Sequence, residues 1–172
     1  MHRRLAGFTF LLAFGILLSA CGFQLRGMGE DSAQLPDEWK SMHLLTGNPN
    51  SEFSRDVSNR FAARGITWTE KQDANYLLNL GPEQFSQRNL SLNSEARVAE
   101  FELTMRARFS VRDANNKVVI DSTEVSTIRQ MENDPRNVVG KAEEVRILKA
   151  EMRADLARQI MRRIGFFATS SG

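Results

Sequence analysis

The sequence predicts a two-layer α+β domain, in which a mostly antiparallel four-stranded sheet carries two helices packed on one face. Residues 99–112 alternate between apolar and polar side chains, which is typical of a long strand with one buried face and one polar face. Apolar residues recur at helical spacing over residues 53–61 and again over residues 138–164. The order strand, helix, three strands, helix favours antiparallel strands with both helices on one face.

The first elements are a strand, a helix and a second extended segment. Residues 39–46 form a short apolar-rich run that predicts the first strand. Asn48 and Pro49 then supply a helix cap and a first helical residue. An apolar stripe follows at every fourth position, and Gly65 stands where the helix should stop. Residues 66–69 are extended in type.

The long alternating strand is preceded by a shorter one and followed by its hairpin partner. Residues 76–80 predict a strand that ends near Pro82, whereas residues 85–94 are polar and fit either a strand or a loop. A turn at residues 113–116 allows residues 117–130 to return beside the long strand. The residues of the long strand expected in the core are Phe101, Leu103, Met105 and Phe109.

The last element is a long helix over residues 135–164, capped by Asn133, Asp134 and Pro135 and closed by Gly165. Its charged residues of both signs, some spaced for ion pairs such as Glu143 with Arg146, are typical of a solvated face.

The composition is that of an ordinary globular protein, with 41% hydrophobic and 26% charged residues in a chain of 172. One cysteine and two histidines leave too few ligands for a disulfide framework, a thiolate zinc cluster or a histidine metal site. Removing residues 1–20, which contain Arg3 and Arg4 and no acidic residue, leaves equal numbers of basic and acidic residues. The sequence therefore predicts no nucleic-acid partner, no metal and no cofactor.

The N-terminus predicts a lipoprotein signal peptide over residues 1–20. Arg3 and Arg4 precede an apolar stretch, residues 5–18, of about 21 Å as a helix, which is too short to span about 30 Å of hydrocarbon. A buried core helix is the alternative interpretation. The sequence Leu18-Ser19-Ala20-Cys21 resembles the bacterial lipobox, and this resemblance implies a covalent lipid on Cys21, the alternative being a free core thiol.

Three further segments follow the signal peptide in this interpretation. Residues 21–37 form the lipidated N-terminus and a tether, residues 38–167 the α+β domain, and residues 168–172 a short tail. Residue 22 is Gly and not Asp, so the inner-membrane retention signal of many lipoproteins is absent. We therefore expect attachment to the outer membrane, on its periplasmic side, through the lipid anchor.

The sequence contains none of the common catalytic motifs, and an enzyme is not predicted. His43, the only histidine after the signal peptide, falls in a predicted strand, where a structural role is typical. Glu100 and Glu102 share one strand face, and a charged solvent edge explains them better than an acid–base pair does.

The residues after the lipobox resemble the LptE family of lipopolysaccharide-assembly lipoproteins. The start of the mature chain, Cys-Gly-Phe-Gln-Leu-Arg-Gly at residues 21–27, is similar to the family's C-G-[FW]-x-L-R start. Further matches are residues 47–49, 53–55, 99–101 and 133–135, in the family's order. This resemblance implies that the domain plugs the lumen of the outer-membrane barrel LptD, and that the pair delivers lipopolysaccharide to the outer leaflet.

The resemblance also implies direct binding of lipopolysaccharide, whose phosphates call for Arg or Lys. Lys141 matches the family's basic position after the Asn-Asp-Pro cap. Family members carry an Arg before the long strand at the position of Ser94, and Arg97 lies three residues on. The candidates are Arg97 and Lys141 together, with Arg106 as a third. Ordinary solvated charges are the alternative.

Two other functions stay open from the sequence. One is a different periplasm-facing lipoprotein adaptor, which serves another envelope machine or binds peptidoglycan. The other is a lipid-anchored hydrolase, which requires His43 to lie in a cleft beside an activated nucleophile.

Overall fold

A computed structural model of the protein describes residues 35–92, 94, 97–133 and 138–170. Within them, one sheet contains six strands: β1 (Ser41–Thr46), β2 (Thr67–Trp68), β3 (Tyr76–Leu80), β4 (Gln84–Leu92), β5 (Val98–Asp113) and β6 (Val118–Glu132). The helices are α1 (Glu52–Ala62) and α2 (Val138–Ser170), and short 3₁₀ turns cover Asp37–Lys40 and Lys71–Asp73.

Strand β5 organises the sheet. Along one edge it pairs antiparallel with β6, and along the other it pairs with β4 through its first half and with β3 through its second half. Between these two partners, the amide of Gly81 donates to the carbonyl of Arg108 at 2.8 Å. The next residue is Pro82, which has no amide to donate, so the ladder stops and resumes in β4.

The prediction of a four-stranded, mostly antiparallel sheet is wrong in two respects. The sheet has six strands in the part of the chain described, and β1 lies parallel to both β2 and β3. The crossover through α1 explains this pairing, because a strand that follows such a helix returns in the direction of the first strand. The ambiguous residues 85–94 contain most of β4.

The core lies between one face of the sheet and both helices, as predicted for a two-layer domain. On β5, the side chains of Leu103, Met105 and Phe109 are at most 2% exposed. Phe101 packs against this core as predicted, but its side chain is only half-buried. Both helices contribute to the same apolar cluster, with Phe53, Val57 and Phe61 from α1 and Met152, Leu156, Ile160 and Ile164 from α2.

The first helix begins later than predicted, at Glu52. Its cap is Ser51, whose Oγ accepts a hydrogen bond of 3.0 Å from the amide of Ser54. The predicted stop is confirmed at Gly65, which has a φ of 87° that glycine adopts without steric cost. Trp39, expected in the first strand, lies in the 3₁₀ turn before it and is buried.

The second helix ends later than predicted, at Ser170. Gly165 does not stop it, because Ile164 and Ala168 on either side are both buried and contact with the core continues past the glycine. Residues 168–170, expected in the tail, are therefore helical. The predicted cap residues Asp134 and Pro135 lie outside the described residues. Among those described, no helix combines the length and the apolar character that a membrane span needs.

Candidate ligand-binding site

The two halves of α2 cover the sheet unequally. From Met152 onward the helix places a continuous row of buried side chains on the sheet, but none of residues 140–151 is buried. Val145 and Leu148 in this first half are only partly covered. This region is incompletely closed, and we call it the distal end. It is formed by the first half of α2, strand β4, the start of β5 and the end of β6.

Lys141 lies in the first turn of α2 at the distal end. Its Nζ is 4.1 Å from the centre of the Phe101 ring and donates to Oδ1 of Asn133 at 2.5 Å. Asn133 also donates from Nδ2 to the carbonyl of Val98 at 2.7 Å. One asparagine thus ties the start of β5 to the start of α2, and it holds the ammonium group of Lys141 beside an aromatic ring.

Arg97 immediately precedes Val98 and is exposed. Because Asn133 contacts both Val98 and Lys141, the structure brings the positions of Arg97 and Lys141 to the same end of the domain. Arg106 lies further along β5, eight residues from Val98 and therefore about 27 Å away. It is on the face opposite Met105, so the structure separates it from the other two candidates.

A second lysine on the same helix, Lys149, was not predicted as a site residue. The Nζ of Lys149 is 4.1 Å from the centre of the Phe85 ring, in the same arrangement that Lys141 makes with Phe101. The spacing of eight residues places both lysines on one side of α2. The spacing alone did not point to Phe85, because Phe85 lies in a segment whose structure the sequence left open.

The distal end places cationic side chains beside apolar surface. An ammonium group that rests on a ring keeps N–H donors for a phosphate oxygen. Half-buried rings and Leu92, which is 59% exposed, offer apolar surface beside the charges. Charge and apolar surface together match a phosphorylated lipid better than they match a fully polar ligand.

The face of the sheet opposite the two helices, which we call the open face, carries cross-strand ion pairs. Arg88 donates to both carboxylate oxygens of Glu102, at 2.7 and 2.9 Å, and these hydrogen bonds lower the pKa of Glu102. Ser91 donates to Glu100 at 2.7 Å, and Arg108 pairs with Glu124 at 3.3 Å. Glu100 and Glu102 each have a separate partner, Ser91 and Arg88. They therefore form part of a charged surface and not an acid–base pair.

His43, the residue that a hydrolase would need beside a nucleophile, contacts a backbone carbonyl instead. The ring of His43 donates from Nδ1 to the carbonyl of Thr69 at 2.9 Å, which fixes β1 against the segment after β2. Within the described residues, no group of three His, Cys, Asp or Glu side chains could hold a metal ion.

The fold defines a mixed α+β domain of two layers, with two helices on one face of a single sheet. The chain belongs to the LptE family of lipopolysaccharide-assembly proteins, which it matches over residues 39–164. This membership confirms the resemblance drawn from the motifs. It also makes the protein a non-enzymatic envelope lipoprotein involved in lipopolysaccharide assembly.

Relatives in several bacteria agree with this assignment. The LPS-assembly lipoprotein LptE of Photorhabdus laumondii is 27% identical over 165 residues, covering 95% of this chain and 86% of that protein. The Yersinia pestis (strain Pestoides F) protein of the same name is 26% identical over 167 residues, covering 95% and 76%.

Solved structures share the fold. Lipoprotein B of Nitrosomonas europaea has a TM-score of 0.70 at 23% identity, covering 86% of this chain and 93% of that one. The rare lipoprotein B of Shewanella oneidensis has a TM-score of 0.66 at 23% identity, covering 75% and 96%. At this identity the likeness extends to the fold, a mixed sheet with two helices.

Proposed function

We propose that the protein is an outer-membrane lipoprotein, anchored through a lipid on Cys21, whose domain plugs the LptD barrel and binds lipopolysaccharide during its delivery to the outer leaflet. Family membership supports the assembly role, and the distal end carries the binding role. Cys21 lies outside the described residues, and its lipid follows from the lipobox. The partner and the location follow from the resemblance stated above.

The open sheet face supports the plug role. Barrels of the outer membrane are lined by polar side chains. Arg88 pairs with Glu102 and Arg108 pairs with Glu124 on this face, so these four charges would enter the lumen already neutralised. The open face also exposes two apolar side chains, Leu45 at 48% and Ile128 at 54%. Such a mixed surface suits contact with a polar protein wall.

The distal end supports the binding role. Lipopolysaccharide combines phosphates with acyl chains, and the distal end combines cations with partly covered rings. Lys141 also lies in the first turn of α2, where the backbone amides of the helix start favour an anion. Asn133 fixes the ammonium group in place, which lowers the entropy lost when a phosphate binds.

Reversing both charges, Arg97→Asp with Lys141→Asp, is expected to weaken lipopolysaccharide binding by about tenfold or more, because each lost cation–phosphate contact is charge-assisted. The affinity of the parent should fall as salt rises, and that of the variant should respond less. Binding of the purified protein to lipopolysaccharide at two salt concentrations measures both effects.

Arg106→Asp is the matched control, since it reverses an exposed arginine outside the distal end. It should leave binding unchanged if the site is at the distal end. All variants should keep a cooperative unfolding transition, and the double variant should still co-purify with LptD. Unchanged binding in a folded double variant, or an equal loss in the control, would exclude this site and leave the plug role standing.

A further inference from the structure

A second cationic surface lies near the C-terminal end of α2. It is a groove of about 560 Å³ between the last turns of this helix and the start of β6. We call it the basal groove, and its lining residues are Ile120, Gln159, Arg162, Arg163, Phe166 and Phe167. No acidic side chain is among them, so the groove carries a net positive charge.

The two arginines of the basal groove differ from others on the same helix. Arg146, Arg153 and Arg158 each contact a carboxylate. Arg162 and Arg163 are exposed, and neither has an ion-pair partner among residues 35–92, 94, 97–133 and 138–170. Two unpaired guanidinium groups side by side favour a polyanionic partner, above all one that presents phosphates.

Phe166 adds an apolar component to this surface. Its side chain is 77% exposed, more than any other large apolar side chain in the described part of the chain. Helices that lie in a membrane–water interface carry Lys or Arg on their polar face and Phe, Trp or Leu on the face that reaches the acyl chains. An exposed ring in the same groove as two arginines therefore fits a lipid surface better than it fits a free phosphate ion.

The entry of the chain into the domain lies beside the basal groove. The described chain begins at Leu35, which is buried, and the Trp39 ring meets the Phe167 ring edge-on at 6.2 Å. Fourteen residues separate Leu35 from Cys21, a span of at most about 50 Å when extended. A lipid on Cys21 would thus hold this end of the domain within reach of the bilayer.

We propose that the basal groove docks on the anionic phospholipid surface of the membrane that holds the lipid anchor. Arg162 and Arg163 bind lipid phosphates, and Phe166 inserts between the headgroups. A lipid chain together with a basic patch gives firmer attachment than a single chain does. This inference rests on the proposed anchor but not on the LptD or lipopolysaccharide roles, and it concerns the anchored protein before it enters a barrel.

The test places a fluorescent reporter in the groove of the full chain. The chain is reconstituted into vesicles of phosphatidylglycerol and phosphatidylcholine, with bromine on the phosphatidylglycerol acyl chains as quencher. Phe166→Trp reports on the groove, and Ile128→Trp is the matched control because it is also exposed but lies on the open sheet face. The emission of Trp39 and Trp68 in the parent chain is subtracted from both.

Bromine should reduce the emission of the reporter at position 166 about twofold and leave the reporter at position 128 unchanged. Adding Arg162→Glu with Arg163→Glu should abolish the quenching at position 166, and so should vesicles of brominated phosphatidylcholine alone. Equal quenching at both positions, no quenching at position 166, or quenching indifferent to the two arginines would overturn the docking proposal. Release of the parent chain from the vesicles would overturn the anchor and the docking together, whereas retention without quenching would overturn the docking alone.

Discussion

Replacing Cys21 with alanine is expected to release the protein from the membrane. The lipobox cysteine supplies the only thiol in the chain, so no other residue can accept the thioether-linked lipid. Buried acyl chains contribute about 0.8 kcal/mol per methylene group, and two or three chains give durable attachment where one does not. Fractionation of envelopes, followed by detection of the protein in soluble and membrane fractions, measures the loss.

The control for this variant is Gly22→Asp, which keeps the cysteine and its lipid. It should stay bound to membrane, and it should move from the outer to the inner membrane if residue 22 governs sorting. The cysteine variant must be examined without LptD, because a barrel partner would retain it by protein contact. An unlipidated variant found in the outer membrane of cells that lack LptD would contradict the lipid anchor.

Truncation of Phe109 to alanine is expected to destabilise the domain by about 3–5 kcal/mol. The side chain is 2% exposed and lies on the core face of β5, the strand that pairs with three others. Its loss would leave a cavity that rigid neighbours cannot fill, in a domain whose whole stability is of the order of 5–15 kcal/mol. Urea unfolding of the purified protein measures the change in the free energy of unfolding.

Arg106→Ala tests the other face of the same strand. Arg106 is exposed and makes no core contact, so its truncation should cost at most about 0.5 kcal/mol. A similar loss of stability in the two variants would mean that both faces of the sheet are buried in the isolated domain. The one-sided, two-layer architecture would then be wrong.

Local patterns predicted some elements well, and long-range pairing decided the others. The sequence predicted β5 correctly, because burial on one face of a strand makes apolar and polar residues alternate. Strand β4 carries no such pattern, since most of its side chains are exposed, and its pairing with β5 makes it a strand. The parallel pairing of β1 with β3 follows from the crossover through α1, which a search for hairpins overlooks.

The candidate site was predicted only where one element was enough to place a residue. Lys141 could be placed at a helix start from the sequence, and the structure puts it there. The contact of Lys149 with Phe85 needs two distant elements, so no local pattern shows it. The position of Arg106 was predictable, because the alternation of β5 already sets it on the face opposite Leu103 and Met105.

Depletion of the protein from cells tests the proposal that it serves lipopolysaccharide assembly through LptD. The quantity to measure is lipopolysaccharide at the cell surface, together with the fraction of LptD that reaches its assembled form. We expect both to fall as the protein is lost, and to recover when the intact chain is restored. Unchanged surface lipopolysaccharide with fully assembled LptD in depleted cells would contradict the proposal.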